Sequence, residues 1–224
     1  MINIIPLAGP DFVIEAGLTK AEQDFKGNPM LKSILYNRKW FDINHEFIFV
    51  FLDGLEQRRF FSEKAKTWFP KSNAVFITKP SSGAALSALC GCSIVSNKKL
   101  PIIFDLADID YSSNLTSDKI IQIFNNNDAI SLNFVSSNPA YSYLKYRDDI
   151  FLEAKEKKVI SNIASAGTYI YKDFFTYNRA LNDVINTNKY KYNNLDYICP
   201  IYNGVKSKKI YSEIVTEVQD IKNN

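Results

Sequence analysis

Short apolar runs bounded by turn residues alternate along the chain with longer stretches of helical periodicity. This is the pattern of βαβ units that build a mainly parallel sheet. Strands are expected over residues 2–7, 47–52, 74–78, 102–105, 129–136 and 167–171. Between them, 29–40 reads as a helix with Pro29 in its first turn and Met30, Ile34, Leu35 and Trp40 on one side. Residues 55–69 repeat that periodicity, which makes Phe60, Phe61, Trp68 and Phe69 core candidates. Residues 82–95 are small and apolar throughout, as expected of a buried helix packed closely on the sheet. From Tyr141 to Ala154 the period shortens to alternating runs, Tyr143-Leu144-Lys145-Tyr146 and Ile150-Phe151-Leu152-Glu153, predicting a hairpin before the last part of the sheet. No repeat and no linker interrupts the pattern.

Length and composition narrow this picture. A chain of 224 residues with 46% hydrophobic and 14% aromatic content suits one large core, so a single α/β domain over 1–224 is expected. The formal charge of +3 is spread along the chain rather than gathered into a stripe, which argues against nucleic acid as a partner and for small anions. No apolar run reaches the roughly 20 residues of a membrane span, and the opening MINIIPLAG lacks the form of a secretory signal, so a cytoplasmic protein is expected. Cys90, Cys92 and Cys199 are odd in number and lack the spacing of a zinc site; they read as reduced thiols.

In an open α/β sheet ligands collect beyond the carboxyl ends of the strands. Three such places stand out. Leu7-Ala8-Gly9-Pro10-Asp11-Phe12 follows the first strand, and its glycine lets backbone amides approach a phosphate or simply makes a turn. Lys79-Pro80-Ser81-Ser82-Gly83-Ala84-Ala85 opens the small-residue helix, where the serines either cap it or leave amides for a base or phosphate. Asp105, Asp108 and Asp110 crowd the end of an apolar strand, and such carboxylates repel one another unless a cation such as Mg²⁺ joins them or water solvates them. Alternation along an extended backbone places Asp108 and Asp110 on one side and turns Asp105 elsewhere. The single histidine, His45, sits in a loop, and no HExxH, Walker A or GxGxxG motif is present.

Taken in order, Ile4-Ile5-Pro6-Leu7-Ala8-Gly9, Lys20 with Asp24-Phe25-Lys26-Gly27-Asn28-Pro29-Met30, Ser82-Gly83-Ala84-Ala85 and Pro101 to Asp108 resemble the sugar-phosphate nucleotidyltransferases. Ser142-Tyr143, Glu156-Lys157, Ser161 and Ala166-Gly167-Thr168-Tyr169 continue the likeness, which runs from Ile2 to about Asn203 and is greatest to small members of bacterial capsule and surface-polysaccharide loci. The resemblance implies a Rossmann-like, mainly parallel mixed sheet flanked by helices, of the kind also used by GT-A glycosyltransferases. It implies transfer of a nucleoside monophosphate from a triphosphate, CTP or another, to a phosphorylated sugar or small alcohol phosphate, with Mg²⁺ as cofactor. A second copy of the chain is a further candidate partner. By the same resemblance Lys20 contacts the triphosphate and Asp108 binds the metal. Leu7, Ala8, Gly9, Ser82, Gly83 and Ala84 bind the nucleotide, while Glu156, Lys157 and Gly167 bind the acceptor.

The sequence also departs from the family. Its first loop lacks the second glycine and the arginine of Gly-x-Gly-x-Arg, Ala21 replaces a proline, and Glu22 brings a negative charge next to Lys20. The second metal aspartate expected late in the chain has Asp196 and Cys199 near its place, with Asp110 as a substitute. Two other readings stay open: a GT-A-type glycosyltransferase with Asp108-Ile109-Asp110 as its metal motif, and a non-catalytic nucleotide-binding relative.

Overall fold

The computed structural model describes residues 1–221. Strands Ser72–Ile77, Glu46–Leu52, Ile2–Leu7 and Ile102–Asp105 lie side by side and parallel, in that order. The next strand, Ile163–Tyr171, runs antiparallel to 102–105 and is the hub of the nine-stranded mixed sheet. Strand Ala129–Val135 runs along one edge of it, whereas 102–105 and Tyr143–Arg147 share the other. Ile210–Ile214 then pairs in parallel with 129–135. Tyr143–Arg147 and Ile150–Lys155 form the expected hairpin. Its two turn residues, Asp148 at φ 51° and Asp149 at φ 62°, have the left-handed backbone of a type I′ turn.

The central strands are apolar on both faces because both faces are covered, and the two faces differ in side-chain size. Ile4, Ile48 and Val50 point toward helix Ala84–Cys92, where Ala85, Ala88 and Cys92 meet them. A Cβ on Gly91 would lie 2.7 Å from Ile4 Cγ2 and 2.9 Å from Val50 Cγ2, so only glycine lets the helix come this close. Their neighbours Ile5, Phe47, Phe49 and Phe51 face the other way. There they join Phe60 of the helical segment Leu55–Trp68 and Phe69 just after it, with Phe61 and Trp68 half-buried at the edge of the cluster. That segment passes through a π-helical stretch, Phe61–Ala65. Helix Met30–Asn37 closes this layer with Met30, Leu31, Ile34 and Leu35 buried.

Strand 163–171 begins earlier than its sequence suggests. Gly167 sits inside it at φ +76°, where the pairing with 129–135 shifts register, and an interior glycine at such a bulge looks like a strand start. Strand Ile109–Ser112, strand Thr216–Asp220 and helices Ser117–Ile123 and Phe174–Ile185 add to the elements expected from pattern. The pair 109–112 with 216–220 returns the end of the chain to the acidic strand end. The three cysteines are unbridged, and among the described residues no helix is long and apolar enough to cross a membrane.

Candidate active site

A cleft of about 520 Å³ opens beyond the carboxyl ends of the parallel strands. It collects most of the expected site residues: Leu7, Ala8, Gly9 and Lys20 of the first loop region, Gly83 and Ala84 of the second loop, and Asp108, Glu156, Lys157 and Gly167. Ser82 and Asp110 are outside the lining. Ser82 is exposed, and its carbonyl accepts the Asp196 amide at 2.8 Å.

The three acids at the strand end have three different fates. Asp105 is buried, and its carboxylate accepts from Arg38 Nε at 2.8 Å and Nη2 at 3.3 Å. Arg38 is itself 3% exposed and lies 3.7 Å from the centroid of the Tyr111 ring. Asp110 accepts from Lys26 Nζ at 2.8 Å and from Asn37 Nδ2 at 3.0 Å. Only Asp108 reaches the cleft. The shared side expected for Asp108 and Asp110 does not form, because Ala107 at φ +52° breaks the extended backbone between the two strands.

That break is held by hydrogen bonds on both sides of Asp108. The Ala107 amide donates to Asp105 Oδ1 at 2.9 Å, Arg38 Nη2 donates to the Ile109 carbonyl at 2.9 Å, and the Leu106 amide donates to the Gly167 carbonyl at 3.0 Å. A left-handed alanine costs of order 1 kcal/mol and persists only where its surroundings over-determine it. The Arg38–Asp105 pair therefore sets the backbone that aims Asp108. Gly167 makes room for the carboxylate, since a Cβ there would lie 3.2 Å from Asp108 Oδ1.

The residue that sequence reasoning missed is Asp220. It lines the same cleft, is the register partner of Ile109, and its neighbour Ile221 donates its amide to the Asp108 carbonyl at 3.0 Å. The Tyr141 hydroxyl donates to Asp220 Oδ2 at 2.7 Å; burial, followed by this bond to a carboxylate, pushes the phenol up to about 12. Tyr141 is thus a neutral donor at any physiological pH. No local signal marks Asp220, which lies in a polar alternating run, Thr216-Glu217-Val218-Gln219-Asp220. The positions expected to supply a late aspartate serve elsewhere. Asp196 is buried and paired with Lys191 at 3.1 Å, and Cys199 lies in the core.

The part of the lining formed by the first and second loops is built differently. Thr19 and Glu22 form a capping box, and Glu22 accepts from Arg59 Nη2 at 2.6 Å. Burial works to raise the Glu22 carboxyl, but hydrogen bonds from Arg59 and Thr19 outweigh it and hold it below the usual range. The charge of Glu22 is thus answered by Arg59 rather than by Lys20. Lys20 pairs with Asp11 at 3.3 Å instead. At the second loop neither serine caps the helix, the first of the two readings left open for it: Gly83 is the N-cap and the Ala85 amide donates to the Asp196 carbonyl at 3.0 Å. Ser81 lines the cleft, donating to the Gly83 carbonyl at 2.8 Å and contacting Ser87 Oγ at 2.7 Å. Gly83 has φ +125°, and a Cβ would lie 2.2 Å from the Asp196 carbonyl oxygen. At the far end the Ser142 hydroxyl donates to Glu156, and Lys157 Nζ stands 5.5 Å from the centroid of the Tyr192 ring. His45 lies outside the cleft lining.

This fold occurs in solved structures. The fold matches the nucleoside-diphosphate-sugar pyrophosphorylase of Vibrio cholerae RC9 with a TM-score of 0.80, at 18% identity over 97% of this chain and 94% of that one. A proposed glucose-1-phosphate thymidylyltransferase from Bacillus anthracis matches with a TM-score of 0.73, at 16% identity over 98% and 89% of the two chains. The inositol-1-phosphate CTP transferase of T. maritima matches with a TM-score of 0.66, at 11% identity over 97% and 86%. No protein-family model matches the sequence, and no curated protein does. The chain therefore has the mixed α/β fold of the nucleotide-sugar pyrophosphorylases and nucleotidyltransferases, over nearly its whole length and nearly the whole of theirs.

Proposed function

We propose that the chain, acting as a single domain in the cytoplasm, transfers a nucleoside monophosphate from a nucleoside triphosphate to a phosphorylated small molecule of surface-polysaccharide synthesis. The observation that supports this reading is that Asp108 and Asp220, on backbones joined by the Ile221–Asp108 hydrogen bond, line the same cleft as Lys20 and the loop of Gly9. The acceptor's phosphate oxygen attacks the α-phosphorus in line, a new P–O bond forms, the bond to the β-phosphate oxygen breaks, and pyrophosphate leaves. Such a transfer needs positioning and charge neutralisation more than covalent chemistry.

Four acids line the cleft, Asp11, Asp108, Glu156 and Asp220, against two lysines, Lys20 and Lys157. A triphosphate and a phosphorylated acceptor in so acidic a site require added positive charge. The carboxylates of Asp108 and Asp220, on backbones joined by the Ile221–Asp108 hydrogen bond, fit a hard divalent cation, which takes one or two carboxylates and completes its shell with phosphate oxygens and water. Bound there, Mg²⁺ would offset the charge of the phosphates. Lys20 binds the triphosphate tail and Lys157 the acceptor phosphate. Gly83 keeps its loop close enough to take the base. Asp110, on Lys26 and Asn37, supports the strand rather than a glycosyltransferase-type paired metal motif.

The test is pyrophosphate release from each nucleoside triphosphate with a panel of sugar and alcohol phosphates. Asp108→Ala and Asp220→Ala should each lower it by about 10²-fold or more while leaving the thermal unfolding curve in place. Activity that survives both substitutions would refute the assignment.

A further inference from the structure

In the first loop a carboxylate stands where the proposed reaction needs an anion to bind. Lys20 lines the cleft with its side chain 23% exposed, and its ammonium pairs with Asp11 Oδ2 at 3.3 Å. The other oxygen, Asp11 Oδ1, folds back over Gly9 and lies 2.7 Å from where a Cβ on that glycine would be. Gly9 is the position at which the loop backbone is barest. The loop is closed by the Phe12 amide donating to the Gly9 carbonyl at 3.3 Å, and the Lys20 amide donates to the Phe12 carbonyl at 2.8 Å. Acid, lysine and glycine are thus held on one short backbone frame. A carboxylate paired with this lysine and lying over the uncovered side of a loop glycine stands where a phosphate oxygen would meet the same lysine.

We infer that Asp11 is an internal stand-in for a substrate phosphate: it pairs with Lys20 and must be displaced before a triphosphate tail can engage that lysine. This rests on the nucleotidyltransferase reading and adds an affinity-setting residue to it. Asp11 is 60% exposed, so the pair is of the weak surface kind and its displacement is easy. The consequence is a tuned affinity. A triphosphate bearing a cation pays little to displace Asp11, and a lone phosphate or monophosphate, with fewer contacts to offset the loss, is disfavoured.

The test is calorimetric titration of the whole protein with inorganic tripolyphosphate in the presence of Mg²⁺, on wild type, Asp11→Asn, Lys20→Met and the double variant. Asp11→Asn should bind about three- to tenfold more tightly than wild type, the size of one exposed ion pair plus one like charge removed. In the Lys20→Met background the same change should gain less than about twofold, because the competitor has nothing left to occupy. Wild-type binding left unchanged or weakened by Asp11→Asn overturns the inference and leaves the reaction class standing. An equal gain in both backgrounds also overturns it, since Asp11 would then act as a general repulsive charge. If neither wild type nor Asp11→Asn binds tripolyphosphate, the nucleotidyltransferase reading falls and this inference with it.

Discussion

The two walls of the cleft are held by opposite means. The acidic wall carries Asp108 on a backbone fixed by a buried guanidinium–carboxylate pair, a left-handed alanine and an accommodating glycine. The wall of the first loop carries Lys20 on a one-turn 3₁₀ segment capped by Thr19 and Glu22, and its ammonium meets a solvent-exposed partner. Charges taken out of water hold position only if every partner is in place, and they are costly to leave half-paired. Exposed charges are adjustable at little cost. The proposed reaction, which would need a firmly held cation and a quickly released pyrophosphate, would be served by this division.

The sharpest way to break the contrast is Arg38→Met. It leaves Asp105 buried without its cation and should cost about 3–5 kcal/mol in chemical denaturation, with loss of activity through the Ala107–Ile109 backbone. A loss below about 1 kcal/mol would show that Asp105 is satisfied by the Ala107 amide alone. Gly83→Ala follows. A Cβ would meet the Asp196 carbonyl oxygen at 2.2 Å on a backbone that L side chains rarely adopt, so a destabilisation of about 2–3 kcal/mol is expected together with weakened nucleotide binding. Nucleotide affinity unchanged in a folded Gly83→Ala protein would detach this loop from the base.

The smallest effect is expected at Glu22. Its carboxyl is depressed in the folded protein, so the stability it contributes is present above the ordinary glutamate value of about 4.3 and is lost as pH falls through the lower, folded value. Glu22→Gln should cost about 1–2 kcal/mol at pH 7 and remove that part of the acid sensitivity. Hydrogen exchange at pH 7 and below pH 4 checks both. Protection around Lys20 that is the same in wild type and variant at neutral pH would mean Arg59 does not support the loop.

Much of the fold was legible because it depends on short-range alternation. Residues 47–52 read as a strand from their uninterrupted apolar run and 82–95 as a closely packed helix from their small residues, and the structure has a strand at Glu46–Leu52 and a helix at Ala84–Cys92. The hairpin at 143–155 was likewise visible, since each of its strands is a local pattern of period two. The C-terminal strands were not, because Thr216–Asp220 is polar and is a strand only through its pairing with Ile109–Ser112.

By itself the sequence determined the α/β class, the loops at which ligand chemistry gathers and the acidic character of one strand end, because hydrophobic period and residue type are local properties. Tertiary structure alone decided which acid does what. Asp105, Asp108 and Asp110 are near-equivalent in sequence and are told apart by Arg38, Gly167 and Lys26, all distant along the chain. Asp220 joins Asp108 only because a late strand folds back beside Ile109, and Asp11 faces Lys20 only because their loop closes. A carboxylate's chemistry is set by what surrounds it in space, and that neighbourhood exists only once the chain has folded.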